Sequence, residues 1–82
     1  MPDTVIVTIR YGAEEADFEL PAKLPLGQWQ DTLGPTLRLH FHNLRLEGRG
    51  IALKWQNRTI PAEATMENCG IYDGSILLLE VN

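Results

Sequence analysis

Cys69 is the single cysteine of the chain and its one candidate thiol nucleophile. A reactive thiol needs a base beside it and an electropositive setting that stabilises the thiolate. The two histidines, His40 and His42, are distant from it in sequence, so Cys69 reads as a small buried residue in a turn. His40 and His42 are themselves a poor metal pair. On a helix, residues two apart are separated by about 200°, so the rings cannot share an ion. On a strand they could, but no cysteine or acidic cluster joins them. Both read as solvated polar positions.

The loops and aromatic residues lead to the same conclusion. "EGRG" (Glu47 to Gly50) and Asp73-Gly74 lack the spacing of phosphate-cradling loops, and turn chemistry accounts for both. "AEEADFE" (Ala13 to Glu19) is the wet side of a hairpin, not a calcium loop. Trp29 and Trp55 read as core anchors or rim, with Trp55 the better candidate for partial exposure. No catalytic, metal or cofactor-binding residue is assigned, and no cofactor is expected.

The totals narrow the field further. A chain of 82 residues makes one domain and buries only ~60% of its unfolded surface, which leaves little room for a deep pocket. Hydrophobic content of 44% against 22% charged residues is that of a soluble globular protein. Eleven acids against seven bases, a net charge of −4, argue against a phosphate-backbone binder, so nucleic acid is not an expected partner. One cysteine allows no internal disulfide, which fits a reducing compartment. "MPDTVIVTIRYG" has no basic n-region followed by a cleavable apolar segment, and its apolar run is too short to span a bilayer. A cytoplasmic protein without direct membrane insertion is expected.

The elements follow from periodicity. "TVIVTIRY" (Thr4 to Tyr11) is a β-branched strand with Val5, Val7 and Ile9 on one face and Thr4, Ile6, Thr8 and Arg10 on the other. After Gly12, "ADFEL" alternates again, with Ala16, Phe18 and Leu20 opposite Asp17 and Glu19. Together they predict a β-hairpin that Pro21 closes. Pro25 suits a first helical turn, and Leu26, Trp29, Leu33, Leu37, Phe41 and Leu44 recur at helical spacing. Gly34-Pro35 predicts either a bend there or an end near Leu33 with a restart at Pro35. Leu37, Leu39 and Phe41 also alternate as a strand would, but helix is the better reading.

"IALKW" is the next strand, "QNR" a tight turn, and Thr59-Ile60 a very short strand. Thr65 is a helix N-cap candidate for one short turn from Met66 to Cys69, which Gly70 ends. Asp73-Gly74 reverses the chain into "SILLLEV". Ile71, bracketed by two glycine-assisted turns, is expected to plug the core. Leu77, Leu79 and Val81 are expected to face inward from a central last strand.

This order is α+β: a mixed sheet of four to five strands packed on one helix. What remains for function is the outward sheet face, where Ile6, Thr8, Lys54, Ile76 and Leu78 fall. If exposed together they form an apolar patch beside one positive charge, as protein-binding sites do.

The order and the closing segment resemble ubiquitin and its relatives, the β-grasp fold. From Ala52 to Val81 the sequence lies on ubiquitin's strand-turn-strand half without a gap, including Ile60, Thr65, Met66, Ile71, Ser75, Leu77 and Leu79. A closer resemblance, carried by "DFELPAKLPLGQW" and "CGIYDGS", is to the YukD/EsaB-like ubiquitin-like family of type VII secretion in Gram-positive bacteria. That family includes small cytoplasmic proteins and the N-terminal domain of the membrane component EccD, and the length here suits a stand-alone member.

The resemblance implies a single ubiquitin-like domain over residues 1–82 and a non-catalytic, cytoplasmic accessory or regulatory component. Its expected partners are proteins, including secretion-system components, and it is expected to be a monomer or weak dimer. One rival is a bacterial ubiquitin-like modifier. Against it, "LLLEVN" offers no diglycine, and the chain has only Lys23 and Lys54 for chain building. The other rival is a small structural subunit of an enzyme assembly.

Overall fold

The structure is a computed structural model that describes residues 3–81. Asn82, where the modifier question turns, lies outside them. Strands β1 (Thr4–Tyr11) and β2 (Glu14–Pro21) form the expected hairpin and α1 (Leu26–His40) follows. Then come β3 (Ile51–Trp55), the two-residue β4 (Arg58–Thr59) and β5 (Ile76–Val81). The strands make one five-stranded sheet in the order β2-β1-β5-β3-β4. Neighbours run antiparallel except β1 and β5, which are parallel.

The alternation seen in the sequence is what the sheet buries. Val5, Val7 and Ile9 of β1, Phe18 and Leu20 of β2, Leu53 of β3 and Leu77 and Leu79 of β5 all join one core. Leu26, Trp29, Leu33 and Leu37 meet them from α1. Burial of each large aliphatic side chain is worth about 1.5–3 kcal/mol.

α1 is continuous through Gly34-Pro35, so of the two sequence readings the chain-breaking one fails. Proline at position 35 removes the amide that would bond to the carbonyl of Asp31, at a cost of ~3 kcal/mol. Burial of Leu33 and Leu37 on either side outweighs that cost. The helix is also anchored elsewhere. It has no side-chain cap at Pro25, and its first free amides, Leu26 and Gly27, donate instead to the carbonyls of Ala64 and Ala62 at 2.9 and 2.8 Å. Gly27 permits this approach, since a Cβ there would lie 3.3 Å from the Ala62 side chain and carbonyl. Gln30 Nε2 donates to the Ile51 carbonyl at 2.6 Å.

The helical stripe extends further in sequence than the helix does. α1 ends at His40, and Phe41 is its extended C-cap, with its amide bonded to the Leu37 carbonyl at 2.9 Å. Leu44 is reached through a further turn, its amide donating to the Phe41 carbonyl at 3.2 Å. Phe41 and Leu44 are both buried, so the period recorded their burial correctly and their conformation incorrectly.

The segment around Ile71 is one turn with both ends closed. Thr65 Oγ1 accepts from the Asn68 amide at 2.9 Å, the N-cap bond expected of it. At the other end Gly70, at φ +79, donates to the Glu67 carbonyl at 3.1 Å, and Ile71 donates to the Met66 carbonyl at 3.0 Å. This nested pair is a Schellman closure, which needs a left-handed residue where Gly70 sits. It turns Ile71 inward, so that Ile71 and Met66 are both buried.

Two stability measurements check this reading. Ile71→Ala is expected to lower the free energy of unfolding by about 2–5 kcal/mol in a urea titration; an unchanged midpoint would show that Ile71 plugs nothing. Pro35→Ala is expected to raise it by about 1–3 kcal/mol, because it restores a helical hydrogen bond at an exposed position; a loss would show that the proline shapes the helix rather than merely being tolerated.

Candidate protein-binding face

The helix covers one face of the sheet, and the other face is open. Register fixes what stands on it. Thr8 is opposite Ile76, and Arg10 opposite Leu78, across the β1–β5 pair. Leu78 is in turn opposite Lys54, and Glu80 opposite Ala52, across β5–β3. Ile6 lies one step along β1 from Thr8. The five residues singled out from the sequence, Ile6, Thr8, Lys54, Ile76 and Leu78, are therefore gathered on this face.

Ile6, Ile76 and Leu78 are 51%, 47% and 38% exposed, which answers whether neighbours bury them. Thr8 and Lys54 are half-buried between them and the strands beyond. Lys54 Nζ lies 3.2 Å from a Glu80 carboxylate oxygen, and Arg10 lies 3.1 Å from Glu15. The result is a short apolar stripe with paired charges along its rim. Arg10, Ala52 and Glu80 also stand here; the two-residue period of β1, β3 and β5 identifies all three.

The stripe is held from its β5 end. Tyr72 to Ser75 form a tight turn in which the Ser75 amide donates to the Tyr72 carbonyl at 3.0 Å, with Gly74 at φ +92. Asp73 Oδ1 accepts from the Ile6 amide at 2.9 Å, and the Gly74 amide donates to the Ile6 carbonyl at 2.9 Å. The turn thus fastens onto β1 beside Ile6 and sets where Ile76 emerges. Sequence reasoning found the turn but not its grip on β1, because a side chain bonding to a strand amide 67 positions away leaves no local signal.

The residues with reactive side chains are dispersed. Cys69 is half-buried in a groove of about 670 Å³ lined by Trp55, Gln56, Arg58, Thr59, Ile60 and Pro61. His40 lines a different groove, between β2 and α1. Its ring sits edge-on to Phe18 at 4.9 Å, and its Nδ1 is 3.0 Å from the Thr36 carbonyl. No group of three or more potential metal ligands occurs among the described residues. Glu47, in the loop after α1, holds its carboxyl below the ordinary value because its own backbone amide donates to it, with Arg38 and Arg45 adding to the effect. It takes no part in the open face.

Comparison with known proteins places this arrangement. The family model "WXG100 protein secretion system (Wss), protein YukD" matches residues 4–79. The chain belongs to the YukD family. No curated protein sequence matches it. Among solved structures, the ubiquitin-like domain of EccD1 from the Mycobacterium tuberculosis type VII secretion system superposes with a TM-score of 0.78. It is 23% identical over 93% of this chain and 96% of its own. The EccD5 ubiquitin-like domain from Mycobacterium xenopi gives 0.84 at 18% identity over 99% and 97%. A chain of the MycP5-free ESX-5 inner membrane complex gives 0.82 at 20% identity over 99% of this chain, which spans 21% of that one. At these identities the likeness shows the fold, a ubiquitin-like β-grasp, and family membership links it to type VII secretion. No helix among the described residues is long and apolar enough to cross a membrane.

The fastening of this YukD-family turn is open to test. Asp73→Ala is expected to cost about 1–2 kcal/mol in a urea titration and to speed hydrogen exchange at the Ile6 amide. Asp73→Asn, which keeps an acceptor oxygen, is expected to recover most of the loss. If exchange at Ile6 does not change, the turn does not hold β1.

Proposed function

We propose that this protein is a non-catalytic ubiquitin-like interaction module, a single domain over residues 1–82, that serves as a cytoplasmic accessory or regulatory component of a type VII secretion system. It works by docking the outward sheet face, through Ile6, Thr8, Lys54, Ile76 and Leu78, onto a protein of that system. The supporting observation is the exposure of Ile6, Ile76 and Leu78 side by side. A sheet face left open to water ordinarily carries polar residues at such positions, whereas contiguous apolar surface rimmed by charge is what a partner covers.

Membership of the YukD family supports the choice of system, and a similar fold within a chain of an ESX-5 inner membrane complex supports a membrane-complex component as the partner. The separation of Cys69 from His40 supports a role without catalysis. In this reading the protein acts as a monomer or weak dimer, requires no cofactor, and binds neither nucleic acid nor the bilayer directly.

The experiment is binding of purified protein to the assembled membrane complex of the same secretion system. Leu78→Asp is expected to keep the thermal midpoint within a few degrees and to weaken binding by about tenfold or more, since a charge then stands in the contact. Unaltered affinity would remove this face from the interaction. Loss of folding would show that Leu78 belongs to the core, and the half-exposed Ile76→Asp then tests the same face.

A further inference from the structure

A second surface lies at the sheet's edge. β2 ends the sheet, and its backbone can be read from its neighbour's. The Thr8 amide donates to the Ser75 carbonyl, and the Ile6 carbonyl accepts from the Gly74 amide, each at 2.9 Å, so Ile6 and Thr8 address β5 rather than β2. An antiparallel ladder turns alternate residues to opposite sides. Glu19 and Asp17, the register partners of Ile6 and Thr8, therefore turn their own N–H and C=O groups away from β1 toward the open edge, and Glu15 does so by the same period. No hydrogen bond among the described residues takes these groups up.

The same three residues carry carboxylates on the outward side of that edge. Arg10 neutralises Glu15 at 3.1 Å. Asp17 and Glu19 instead accept from the hydroxyls of Thr8 and Thr4, at 2.6 and 2.7 Å, and a hydroxyl leaves the charge in place. On the inward side, between β2 and α1, runs a groove of about 400 Å³ in which buried Phe18, Leu20, Trp29 and Leu33 are joined by polar Thr32, Thr36 and His40. Unpaired backbone, uncompensated negative charge above and a groove of mixed apolar and polar lining below therefore meet along one strand.

We infer that β2 accepts, as an added strand, an extended segment of another protein in which basic and aliphatic residues alternate. Backbone pairing with Glu15, Asp17 and Glu19 supplies the ladder. Side chains of the added strand then alternate between the two sides. The basic set stands beside the carboxylates, and the aliphatic set enters the groove. A second copy of this chain does not fit, because pairing β2 with itself puts carboxylate against carboxylate. The opposite edge, β4, offers only Arg58–Thr59. This edge borders the open face, since Glu19 and Asp17 stand opposite Ile6 and Thr8, but pairing along β2 uses none of Lys54, Ile76 or Leu78.

The test is titration of isotope-labelled protein with a capped peptide of alternating lysine and valine, followed by amide NMR. The expected result is perturbation and slowed exchange at the Glu15, Asp17 and Glu19 amides, with shifts in α1 around Leu33 and Thr36. The same peptide methylated on the backbone nitrogens that would face β2, and a peptide with glutamate in place of lysine, are expected to bind at least about tenfold more weakly. Asp17→Asn with Glu19→Gln, which keeps the hydroxyl acceptors and the fold, is expected to weaken the lysine peptide about tenfold. Absence of binding, equal binding of the methylated peptide, perturbation of Lys54, Ile76 and Leu78 instead, or self-association through β2 would each overturn the proposal.

Discussion

The fold depends on β5 being held between β1 and β3, parallel to one and antiparallel to the other. A parallel pair cannot be made by a tight hairpin, so the chain between β1 and β5 must cross the sheet, and α1 makes that crossing while covering the inner face. Once Leu77 and Leu79 are committed to the core, a side-chain period of two leaves no freedom for the residues between them. Ile76, Leu78 and Glu80 must face outward. Two of these three are aliphatic, although nothing in the packing of the sheet requires it.

That separation of structural and functional demand runs through the molecule. The inner face, the helix stripe and the Ile71 turn are explained by burial alone. Polar groups that could do chemistry are spent on local geometry: Thr65 caps a turn, Asp73 holds a strand amide, and His40 packs on Phe18. Among the features that packing does not require are the apolar stripe of the open face and the acidic, unpaired edge of β2. A small domain that cannot enclose a deep pocket still offers two such surfaces, one flat and one linear, each suited to a different mode of contact. Family membership links the chain to type VII secretion, and the proposed function assigns the flat surface to that system.

Most of the architecture was legible in the sequence because it rests on short-range pattern. Alternation in "TVIVTIRY" and "ADFEL" gave the hairpin, and "CGIYDGS" gave the two turns around Ile71. Helical spacing gave α1 but carried it too far, through Phe41 and Leu44, since periodicity reports which residues are buried and not the conformation that buries them. The candidate face was legible as a set of outward positions. Its exposure was not, because that depends on whether another layer covers the sheet. Least visible were bonds between distant segments: Ala62 and Ala64 capping the helix and Asp73 reaching Ile6 have no signature in local sequence.

The central claim is that β5 sends Leu77 inward and leaves Ile76 and Leu78 open to a partner. Methyl NMR of the free protein with a soluble paramagnetic agent measures this directly. Strong broadening of the Ile6, Ile76 and Leu78 methyl signals, with those of Ile9, Ile71 and Leu77 unaffected, is the result expected. Protection of Ile76 and Leu78, or broadening of Ile71 and Leu77, would contradict it.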